Sequence, residues 1–157
     1  MPKCAPLVVA LAAVVLAGCG SRAPSRAAFI KQADAICAKG DTQFKSVRQP
    51  QVNGLPQQQI LANLSAYVDQ VLPVTQHVID QLKGLGQPSA NQDLLHRYFS
   101  ALDQAEANLH QLSTAAKRND LPSVLKGVRA LRATQPDQLA KQYGFKTCAG
   151  SGATTGR

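Results

Sequence analysis

The 157-residue chain has no tryptophan, and only 4% of it is aromatic. Stretches that interleave aromatic and basic residues, the mark of a base-stacking surface, are missing, so nucleic acid is a poor fit as partner. No apolar run reaches the roughly 20 residues that a spanning helix needs, since the longest stops at Gly18 after starting at Ala5. No Cys-x-x-Cys pair occurs, which removes the usual dithiol redox site and a common zinc spacing. His-Glu-x-x-His, Gly-x-Ser-x-Gly and phosphate-binding glycine loops are lacking too. The chain therefore reads as a non-enzyme with no catalytic residue, no resident metal and no cofactor. Acidic residues are scarce: 9 stand against 17 Lys and Arg, a formal charge of +8. That balance favours an anionic surface as partner, the alternative being cations that only keep a helical surface solvated.

What is present begins at the N-terminus. Lys3 supplies a positive start, Ala5 to Ala17 an apolar stretch, and Ala17-Gly18 a small pair, the build of a secretory signal over residues 1–18. Leu16-Ala17-Gly18-Cys19 resembles the lipobox of bacterial lipoproteins. The resemblance implies a diacylglyceryl group on the Cys19 sulfur, with palmitate-class chains, and cleavage just before it. An ordinary secretory signal with an incidental cysteine is the competing reading. Two acyl chains suffice for stable anchoring, each buried methylene adding about 0.8 kcal/mol. The expected address is the extracytoplasmic face of the cell membrane. Residues 19–25 then form the lipidated cysteine and a tether reaching about 13 Å. Arg22 and Arg26 stand where anionic headgroups could meet them.

Cysteine arithmetic follows from that reading. Cys4 leaves with the signal and Cys19 carries lipid, so Cys37 and Cys148 remain. In an oxidising compartment two remaining thiols allow one pairing. A loop of roughly 110 residues closed in this way contributes about 4 to 5 kcal/mol on the chain-entropy argument.

The body from residue 26 to 148 reads as one all-α domain. The first helix is expected to open at Ser25 and run to about Gln49, with Phe29, Ala33, Ile36, Cys37 and Phe44 on one stripe. Gly40 interrupts it as a bend or a close helix contact. The second helix follows Pro56, carries the strongest periodicity, and should kink at Pro73 rather than divide. Ser89 with Gln92 predicts the capping box of the third. The fourth starts near Asp120, turns Leu121, Val124, Leu125, Val128 and Leu131 inward, and breaks at Pro136. Residues 149–157, small and polar, read as a disordered tail. Short loops between such helices predict an up-down four-helix bundle stapled by one disulfide.

Ala33-Asp34-Ala35-Ile36-Cys37-Ala38 and Tyr143-Gly144-Phe145-Lys146-Thr147-Cys148 are similar to segments of small helical actinobacterial lipoproteins. That resemblance implies the fold and the bridge, and carries no activity with it.

Three patterns invite chemistry. Ser123-Val124-Leu125-Lys126 matches the Ser-x-x-Lys of penicillin-recognising enzymes without its companion elements. His96, Asp103 and His110 share a face, but the two histidines stand about 21 Å apart, too far for one metal. Asp103, Glu106 and His110 are closer and amount to half a metal site at best. Lys126, Arg129 and Arg132, extended by Lys117 and Arg118, form a basic strip suited to an anionic partner, with an ordinary solvated face as the alternative. The leading expectation is a lipid-anchored binding or scaffold protein of the envelope, partnered by the membrane and by an envelope protein, anionic lipid or wall polymer. The rival is a carrier of a small apolar or haem-like ligand lodged where Gly40 and Pro73 splay the helices, with Tyr67, Tyr98 or a histidine as axial ligand.

Overall fold

The computed structural model describes residues 23–150. The expected leader, the lipidation position Cys19 and most of the tether lie outside the described residues, as do residues 151–157 of the expected tail.

Five helices follow in order: α1 (Arg26–Ser46), α2 (Gln57–Lys83), α3 (Gln92–Lys117), α4 (Leu121–Thr134) and α5 (Pro136–Tyr143), with no strand among the described residues. Ser25 caps α1 by accepting the Ala28 N–H at 3.2 Å. The helix ends at Ser46, short of Gln49, because Val47 is already extended and Pro50 disfavours helical backbone before it. α2 runs unbroken past Pro73, whose ring is exposed. Ser89 does not cap α3. That helix starts three residues later, after Asn91 takes a left-handed φ of 57°, while the fully buried Pro88 pins the preceding loop. Asp120 caps α4 through the Ser123 N–H at 3.1 Å, and Pro122 occupies the first turn, where a missing N–H is harmless. Gln135, at φ 46°, turns the chain so that Pro136 can open α5.

The first four helices run up, down, up and down, with α1 along α2, α2 along α3, and α3 along both α4 and α5. The fourth position of the bundle is thus shared by two short helices. Two cores result. One joins Phe29, Ala33 and Cys37 of α1 to Leu82, Leu95, Tyr98, Tyr143 and Phe145. The other joins Leu61, Val68 and Leu72 of α2 to Leu112, Ala115, Ala116 and Val124. α3 buries Phe99, Ala101 and Ala115 in addition to Leu95, Tyr98, Leu112 and Ala116 because it faces three neighbours.

Other expectations need correction. Leu125 points outward at 51% exposure, because Val124 and Gly127, with Val128 and Leu131 beside them, already fill the inward arc. Ala149, assigned to the tail, is buried in the first core. Pro24, assigned to the tether, is half-buried against Gly86. Gly40 marks a close approach: a Cβ there would lie 2.6 Å from Val78 Cγ2.

Candidate functional site

Cys37 and Cys148 are bonded, with Cα atoms 5.2 Å apart. The bond is one of three fastenings that clasp the segment after α5 onto α1. Asp34, one turn before Cys37, accepts the backbone N–H groups of Lys146 and Cys148 at 3.1 Å and of Thr147 at 2.8 Å. Three consecutive amides converging on one carboxylate form an anion nest filled from within the chain. Arg26 donates from Nη2 to the Tyr143 carbonyl and lies 5.2 Å above the Tyr143 ring. Gly144 makes this possible, since it sits at φ 96° and a Cβ would stand 2.9 Å from that guanidinium nitrogen. The Phe145 N–H then returns to the Ala140 carbonyl at 3.0 Å, closing α5. Beneath the clasp Phe29 meets Tyr143 edge-on at 6.0 Å, and Phe145 lies 5.2 Å from Tyr98. The segments Ala33–Ala38 and Tyr143–Cys148 are therefore the two halves of one structural lock.

Two predictions concern this lock. Asp34→Ala leaves three amides without their charged acceptor and is expected to cost about 2 to 3 kcal/mol, read as a lower urea midpoint; Asp34→Asn, keeping one oxygen, loses less. Tyr143 Oη, in contrast, is buried with no hydrogen-bond partner among the described residues. Tyr143→Phe should be neutral or stabilise by up to about 1 kcal/mol, because the desolvated hydroxyl returns nothing; a clear loss in thermal denaturation would contradict this.

Burial pushes the Tyr98 phenol well up, reinforced by Asp137 and then Asp34. The same cause raises Tyr143, against the pull of Arg26. Asp137 is also raised by burial, with Lys141 opposing. Tyr98 and Tyr143 belong to the packed first core, and Asp137 is half-buried in α5.

The residues singled out for chemistry are dispersed. Ser123 is tied to Asp120, whose carboxyl is held down by that hydroxyl and by the Ser123 N–H, while Lys126 is exposed. The Ser-x-x-Lys spacing is thus the first turns of a capped helix. His77 contacts Gln81 at 3.1 Å, and His110 stands 3.9 Å from Glu106, whose oxygen accepts from Gln76 at 2.8 Å. No group of three or more metal-ligating side chains converges among the described residues. Tyr98 lies within the aromatic cluster, and Tyr67 packs beside the second core. Where the carrier reading expects a splay, Gly40 instead admits Val78. Two open depressions of about 440 and 430 Å³ lie elsewhere, along the α3–α4 seam at Asn108 and Ala133 and at His110 and Lys126.

The basic strip is divided by the structure. Lys117 turns to α2 and pairs with Asp69 at 2.7 Å, and its hydrogen bond, with that of Ser113, holds the Asp69 carboxyl low. Lys126, Arg129 and Arg132 remain exposed on α4, without an ion pair among the described residues. Arg129 folds back, its Nε donating to the Leu125 carbonyl at 3.3 Å. Periodicity alone located these three cations; the exposed leucine among them was masked by its place in an apolar pattern.

No family model, no curated protein and no solved structure matches the chain.

Proposed function

We propose that this chain is a lipid-anchored binding or scaffold protein at the extracytoplasmic face of the cell membrane. The observation that carries the reading is Leu16-Ala17-Gly18-Cys19 directly after an apolar leader. The Cys37–Cys148 bridge supports it, because such bonds persist outside the reducing cytoplasm. No helix among the described residues is long and apolar enough to cross a membrane, and two acyl chains on the Cys19 sulfur would suffice for attachment. The work of the body is then recognition, and the cation-only outer face of α4 suits a partner of negative charge.

Cell fractionation of a Cys19→Ala variant, with intact-mass analysis, tests the address. The unaltered protein is expected in the membrane fraction, starting at Cys19 and carrying fatty acyl mass, and the variant in the soluble extracytoplasmic fraction. Undiminished membrane retention of processed variant would refute the anchor.

A further inference from the structure

The outer faces of the helices differ in one respect. α1, α2, α3 and α5 each mix carboxylates with cations, whereas α4 holds Lys126, Arg129 and Arg132 and no acidic residue at all. Of the carboxylates that flank α4 in sequence, Asp120 is engaged in capping it through the Ser123 N–H, and Asp137 is half-buried in α5. Among these cations sits Leu125, one of two large apolar side chains that the described residues expose, the other being Val52 at 43%. Leu125, Arg129 and Arg132 follow at i, i+4 and i+7, so they share a face, with Lys126 at its edge. The Arg129 bond to the Leu125 carbonyl keeps the guanidinium alongside that leucine.

A soluble polyanion would reward the cations and leave the leucine in water. A face of cations around an exposed apolar side chain instead matches the boundary between anionic headgroups and acyl chains, where the charges stay wet and the apolar tip sinks. The position suits it as well. α4 leads through Gln135 into α5, about 12 Å long, and the end of α5 is held by Arg26 at the start of α1. Seven residues separate Cys19 from Arg26 and can span at most about 25 Å, which keeps α4 within a few tens of ångströms of the proposed anchor.

We infer that the outward face of α4 is a second membrane contact: Leu125 enters the headgroup boundary of an anionic leaflet, and Lys126, Arg129 and Arg132 pair with lipid phosphates. The inference rests on the envelope address proposed above for its source of lipid, and its test does not need the acyl chains.

The lack of tryptophan makes that test direct. Leu125→Trp and Val52→Trp variants each carry a single indole, and both are isolated from their host, with Cys19 in place and as Cys19→Ala, and mixed with vesicles of zwitterionic or partly anionic phospholipid, the dependence on lipid concentration being read on the Cys19→Ala form. On anionic vesicles the indole of Leu125→Trp is expected to shift to the blue and be quenched by brominated acyl chains, and that of Val52→Trp to remain at its solution wavelength. Combining Leu125→Trp with Lys126→Gln, Arg129→Gln and Arg132→Gln should weaken the response about a hundredfold in lipid concentration, near fivefold per cation. An unshifted indole at position 125, an equal shift at position 52, or indifference to the three glutamines overturns the inference and leaves the strip to an acidic protein. Acyl mass at Cys19, read on the same samples, reports the anchor separately.

Discussion

Removing the bridge by Cys37→Ala with Cys148→Ala should lower stability by about 4 to 5 kcal/mol, the largest loss expected from removing any single link in this molecule. The two cysteines stand 111 residues apart, so the bond constrains nearly all of the described chain when it unfolds. The chain-entropy relation gives its magnitude, and a domain of this size converts that loss into a melting point lower by on the order of 15 °C. Urea titration separates the cause: if the effect lies in the unfolded ensemble, the variant's transition should also steepen, because an unlinked chain exposes more surface. A lower midpoint with unchanged steepness would place the effect in the folded clasp. Both cysteines are almost wholly buried, at 4% and 5% exposure, so reduction of the native protein should wait for the clasp to open.

The pairing was legible in the sequence because, once Cys4 and Cys19 are assigned to the leader and the lipid, counting the remaining cysteines is independent of geometry. Local signals were equally readable where local chemistry decides: Ser25 and Asp120 cap through hydrogen bonds three residues ahead, and Pro136 ends a helix by sterics alone. The signal failed where distant residues decide. Ser89 has the letters of a cap, yet burial of Pro88 sets the path of the loop and hands the start of α3 to Asn91. Lys117 continues the basic strip in sequence, but Asp69, on another helix, draws it away. Leu125 fits an apolar stripe, and only the width of the α3–α4 contact, set by Gly127 closing on Leu112, leaves it outside. Asp34 is the most instructive omission. Its position one turn from Cys37 was visible, but the three amides it gathers arrive from residues 146 to 148.

Phe29→Ala should cost about 3 to 5 kcal/mol, the usual range for emptying a buried phenylalanine site. Phe29 has no exposed surface and meets both Tyr143 and Phe145 at 6.0 Å, so the substitution opens a cavity under the clasp and removes an edge-to-face contact. The arrangement of the two cores makes the loss local as well as large. α1 belongs only to the first, while Leu61, Leu112 and Val124 hold the second through α2, α3 and α4. Amide exchange of the variant is therefore expected to quicken first in α1 and in residues 144–150, with the amides around Leu112 and Val124 retaining protection nearer the global limit. Uniform loss throughout would mean that the cores unfold as one unit. With the bridge intact, the freed α1 would still be linked to Cys148, so combining Phe29→Ala with the loss of both cysteines should cost more than the sum of the separate effects if the bond and the ring each compensate for the other's absence.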